Sequence, residues 1–142
     1  MIKEAYVSFD VAKLLKEKGF DENTSMVYMS YGDLCKCNRY DSIRNSNYND
    51  ITKNYFECTA PTHQMVMAWL REHGLHINAV ISYDYSVDAD GNEVDRWTFW
   101  LFEIFSSFSG NLIYTEEVNQ YDSYEEAVEA ALKYCLENLI WL

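Results

Sequence analysis

Apolar residues recur at helical spacing in three parts of the chain. Val11, Leu14 and Leu15 share one face of a helix predicted from about Phe9 to Lys18. Ser8 stands at the capping position, and Lys16 and Lys18 suit the negative end of the dipole. Gly19 fits the left-handed position after the helix, with Phe20 packing back on the last turn. A second helix is predicted from about Ala60 to His73, capped by Thr59, with Pro61 in its first turn and Gly74 closing it. Its buried side is expected to be Met65, Val66, Trp69 and Leu70. The third opens at Asp122 or Ser123. It carries an unbroken stripe of Ala127, Val128, Ala131, Leu132, Cys135, Leu136 and Leu139 opposite Glu125, Glu129, Lys133 and Glu137.

Between these segments the period changes to two. Leu75, Ile77, Ala79, Ile81 and Tyr83 alternate with His76, Asn78, Val80, Ser82 and Asp84, as in a half-exposed strand. Asp88 to Glu93 reads as a hairpin turn with Gly91 at positive φ. The partner strand is apolar on both faces, with Trp97, Phe99, Leu101 and Phe105 on one and Trp100, Phe102 and Ile104 on the other. That predicts a central strand covered on two sides. Shorter strands are expected at Met26–Tyr31 and Asn111–Thr115. Residues 38–54 hold five Asn, two Asp and two Ser, which favour turns, while Tyr40, Ile43, Tyr48 and Ile51 suggest that parts of this loop pack down.

The order predicts an α+β fold: an antiparallel sheet of three to five strands with about three helices packed on it, in a single domain over residues 1–142. If the helices cover one face only, the second aromatic face needs the Asn-rich loop or a second copy of the chain.

Composition sharpens this picture. With 49% hydrophobic and 24% charged residues, the chain of 142 residues is that of a globular protein. The net charge of −12 is unevenly placed. Residues 1–71 hold nine basic and nine acidic side chains; residues 72–142 hold fourteen acidic ones against Arg96 and Lys133 alone. Such a half repels phosphate backbones, so direct nucleic-acid binding through it is not expected, whereas a basic partner, or mimicry of nucleic acid, is compatible with it. No signal-like or membrane-spanning run is apparent, so the expected compartment is the cytoplasm, with Cys35, Cys37, Cys58 and Cys135 reduced.

Candidate chemistry is sparse. Cys35, Cys37, Cys58 and His63 form a weak zinc candidate, because paired ligands usually stand two to four residues apart rather than one. Asp88, Asp90 and Asn92 resemble part of a calcium loop, but the twelfth position would be Trp97, which has no carboxylate. No phosphate-binding, dinucleotide or nucleophile-elbow motif occurs, so no catalytic residue and no cofactor is assigned. Glu116, Glu117 and Asp122 read as solvated charge. An alternative site centres on His63 and Arg71, the latter able to hold a carboxylate or phosphate. The excess of aromatic residues, 16% of the chain, instead favours contact with a protein, with Tyr40, Tyr48, Tyr83, Tyr85 and Tyr121 as candidate anchors.

Three stretches carry a resemblance: VSFDVAKLLKEKGFDE, CTAPTHQMVMAWLREHGLHI and YDSYEEAVEAALKYCLENL. The sharpest part is Ala60-Pro61-Thr62 followed by Trp69-Leu70-Arg71-Glu72. Together they resemble a group of small uncharacterised proteins encoded in phages, prophages and mobile elements of Bacteroides-like gut bacteria. The resemblance implies an accessory protein of a bacterial cytoplasm and carries over no site residue. The expected function is non-catalytic interaction with a protein partner, with a homodimer as a further expectation. The alternative is a small-ligand protein or enzyme built around His63 and Arg71.

Overall fold

The computed structural model describes residues 2–37, 42–47 and 56–141. The protein is α+β. The described elements run α1 (Phe9–Glu17), β1 (Met26–Met29), β2 (Leu34–Lys36), β3 (Phe56–Thr59), α2 (His63–Glu72), β4 (Leu75–Val87), β5 (Glu93–Ser106), β6 (Leu112–Thr115) and α3 (Tyr124–Asn138), with a short 3-10 turn at Asn45–Asn47. The strands form two antiparallel three-stranded sheets, in the orders β2-β1-β3 and β4-β5-β6, rather than a single sheet.

Helix starts follow local chemistry. Ser8 and Ser123 cap α1 and α3, each side chain accepting an N–H from the first turn. The second helix begins later than its sequence pattern suggests. Thr62 is its cap, accepting from Met65 N–H, while Thr59 belongs to β3 and pairs with Val27. The reason is tertiary: β1 draws residues 56–59 into its ladder, and Pro61 spends its carbonyl on Val7 N–H at 3.1 Å. Gly74 then turns the chain at φ +88, and a β-carbon there would lie 2.6 Å from the Phe108 ring.

Both sheets feed one core. Val11 and Leu15 from α1, Val66 and Leu70 from α2, Ile77, Phe102 and Ile104 from the second sheet, and Val128, Leu132 and Leu136 from α3 meet in it. Met67 is buried on α2 in place of the expected Met65, which is only partly covered. A small second cluster of Val27, Ile43 and Phe56 lies apart from it. Here the Asn-rich segment does pack down: Ile43 exchanges backbone bonds with Thr24. Buried Asn45 donates from Nδ2 to the Phe20 carbonyl at 2.8 Å and accepts from Thr59 N–H at 2.9 Å. Tyr40, Tyr48 and Ile51 lie outside the described residues.

The prediction that β5 is covered on two sides needs correction. It is the central strand, but only its inner face reaches full burial, with Phe102 against Tyr114, Tyr121 and Tyr134, and Trp100 edge-on to Tyr124, whereas Phe99, Leu101 and Phe105 on the outer face are half-buried. The β4–β5 hairpin also outruns the helices. Leu75 and Ile77 are buried, whereas Ile81, Tyr83 and Tyr85 further along the same face are more than half exposed.

Candidate functional site

His63 opens α2 and Glu129 sits in the middle of α3; the core packing of the two helices brings them together. Nε2 of His63 lies 2.7 Å from Oε2 of Glu129. The other carboxylate oxygen accepts the Ser8 N–H at 2.9 Å, so one side chain ties three helices. Burial alone would raise the Glu129 carboxyl, but the bonds from the His63 ring and Ser8 prevail and hold it below the ordinary carboxylate range. Ser8 Oγ accepts from Val11 N–H as a helix cap, while Nε2 of His63 is taken by Glu129. His63 Nδ1 is buried without a polar partner. An open groove of about 490 Å³ runs past Ser8, Asp10, Tyr121 and Glu129, and His63 does not line it.

Arg71, the other candidate, is not part of this arrangement. It lies two turns further along α2 and is exposed, and its backbone carbonyl accepts the Ser107 hydroxyl at 2.7 Å. The two residues therefore form no joint site. The candidate ligands Cys35, Cys37, Cys58 and His63 are not gathered either: among the described residues, no group of three or more His, Cys, Asp or Glu is placed to hold a metal ion. Cys58 is buried on β3, and burial pushes its thiol up to about 12; the same holds for Cys135 on α3. The acidic hairpin tip is a turn, with Asp88 Oδ1 accepting the N–H groups of Asp90 and Asn92, each at 2.9 Å.

Glu116 corrects another expectation. It is buried rather than solvated, and its carboxylate accepts from Val118 N–H at 2.9 Å and Asn119 N–H at 3.1 Å. Burial favours the neutral acid, but these bonds outweigh it and keep the group below the usual range. It organises the loop between β6 and α3.

What remains is the outer face of the second sheet. Because Trp100, Phe102 and Ile104 point at the core, alternation places Trp97, Phe99, Leu101 and Phe105 on the opposite side. Register adds Val80, opposite Leu101, and Leu112, opposite Phe105. Trp97 is 44% and Leu112 55% exposed. The polar residues of this face include Asp84 opposite Trp97, Asp95 opposite Ser86, and Glu103 opposite Asn78. No Lys or Arg of β4 or β5 stands on it; Arg96 lies on the other face, 4.3 Å over the Tyr83 ring. Along this row Phe99, Leu101 and Phe105 are half-buried, so it is open at Trp97 and Leu112 and partly covered in the middle, which the sequence alone could not show.

Compared with protein-family models, with curated proteins and with solved structures, the chain matches none. Among the described residues, no helix is long and apolar enough to cross a membrane.

Proposed function

We propose that this is a non-catalytic accessory protein that docks the outer face of β4–β5–β6 on a basic surface of a protein partner. The observation that carries the reading is the apolar row of exposed Trp97 and Leu112 with half-buried Phe99, Leu101 and Phe105, interspersed with Asp84, Asp95 and Glu103. Large apolar patches on a folded surface mark sites of contact, and aromatic side chains supply much of the energy in such contacts. The carboxylates select the partner: Lys or Arg around an apolar centre matches this face, whereas phosphate backbones are repelled. In the setting implied by the resemblance, a phage or mobile element within a bacterial cytoplasm, the partner is a host or element-encoded protein. A small-ligand reading centred on His63 and Arg71 has less support, since one is spent on Glu129 and the other lies apart from it.

Selection of displayed random peptides on the purified protein tests the proposal. Recovered peptides combine Lys or Arg with apolar residues, and their binding weakens as salt is raised. It is lost in Trp97→Ser and reduced in Asp84→Asn/Asp95→Asn. Recovery of peptides free of basic residues, or binding indifferent to both variants, refutes it.

A further inference from the structure

The exposed edge of β4 leads to a second, independent surface. Trp100 directs its N–H and C=O at Tyr121, exchanging bonds of 2.8 and 2.9 Å. In an antiparallel pair, opposed residues exchange both bonds or neither. Ile81, opposite Trp100, therefore turns its own N–H and C=O away from β5, toward the open side of the sheet. By alternation Ile77, Ala79, Tyr83 and Tyr85 do the same. Among the described residues, the partner these outward groups find is Asp84 Oδ1, which accepts the Tyr85 N–H at 2.8 Å. Edges of this length are ordinarily guarded by charged side chains, Pro or a bulge. From Leu75 to Tyr85 the one charged side chain is Asp84, near the far end, with no Lys, Arg or Pro, and the ladder's irregularity comes only at Ser86/Val87.

We propose that this edge pairs with β4 of a second copy of the chain, antiparallel about a two-fold axis at Ile81. Ile81 is the midpoint of Leu75–Val87, so this register uses the whole strand. It sets outward-bonding residues against outward-bonding residues: Tyr83 against Ala79, and Tyr85 against Ile77, of the other copy. This accounts for the exposed half of the inner face. Ile77 is buried and Ala79 packs on the core, in the part of β4 that the helices contact. The bare Tyr83 and Tyr85 of each arm thus come beside the covered end of the other. Charge permits it as well, since Asp84 falls opposite Asn78 and Ser86 opposite His76, with no acid facing an acid. The product is one six-stranded sheet.

Sedimentation equilibrium of the purified protein, with no partner present, tests this independently of the outer-face reading. The wild type is expected at twice the 16.7 kDa chain mass. Tyr83→Pro removes an outward N–H without touching the β4–β5 ladder, and Tyr83→Lys places a charge at the edge. Both are expected to sediment as monomers with unchanged circular dichroism, while Trp97→Ser on the outer face remains dimeric. If Tyr83→Pro misfolds, Tyr83→Lys decides. A wild type that is monomeric across the measured concentration range, or a dimer that survives the folded Tyr83 variant, overturns the proposal.

Discussion

His63 and Glu129, 66 residues apart in sequence, meet at 2.7 Å between the first turn of α2 and the middle of α3. A carboxylate only accepts, so Nε2 of the ring carries the shared proton. The pair is mostly shielded, with 8% and 27% of the two side chains exposed. Glu129→Ala is expected to cost about 1.5–3 kcal/mol, the range for hydrogen bonds to a charged group. Urea unfolding of the variant checks it; a loss within error of zero would show that the contact does not hold the helices together.

The same pair sets an acid limit. The Glu129 carboxyl is held low in the folded protein by the His63 and Ser8 bonds, despite the opposing effect of burial. A depressed folded pKa contributes stability that is present above the unfolded value, about 4.3 for Glu, and lost as pH falls through the folded value. Between neutrality and pH 3, the wild type should therefore lose more stability than Glu129→Gln, which has no proton to gain. Parallel slopes for the two proteins would contradict this.

Thiol chemistry separates the cysteines into two classes. Cys58 and Cys135 are buried, each thiol pushed up to about 12, so the nucleophilic thiolate is scarce near neutrality. Cys35 and Cys37 are only partly covered. Alkylation of the native protein at about pH 8 should label Cys35 and Cys37 first, with Cys58 and Cys135 reacting only on unfolding. Peptide mapping by mass spectrometry reads the order.

Asn45 fastens the Asn-rich segment to the fold. Its side chain satisfies the Phe20 carbonyl and the Thr59 N–H, both buried. Asn45→Ala leaves both groups unpaired and should destabilise by about 1–3 kcal/mol. Substituting neighbouring Ser46, which is exposed, should change little in the same melt.

Leu132 is fully buried at the centre of the α3 stripe. Its replacement by Ala should cost about 2–5 kcal/mol through lost apolar contact and the cavity left behind. An unchanged midpoint in chemical denaturation would remove α3 from the core.

Local sequence determined the elements whose signals are local. The caps Ser8 and Ser123, the α3 stripe, and the period-two run ending at the Gly91 turn all act over a few residues, and their positions could be read directly. Short β2 and β3 were not legible in this way: the sequence put Thr59 at the cap of α2, and only pairing with β1 draws both segments into a ladder. Glu129 was equally hidden. It stands in the polar row of α3 with Glu125, Lys133 and Glu137, and only the approach of α1 and α2 distinguishes it from its neighbours. The aromatic strand shows the same limit from the other side. Alternation told which residues of β5 share a face, but covering a face is a long-range event, and tertiary structure alone decided that the helices pack on Phe102 and Ile104 and leave Trp97 exposed on the other side.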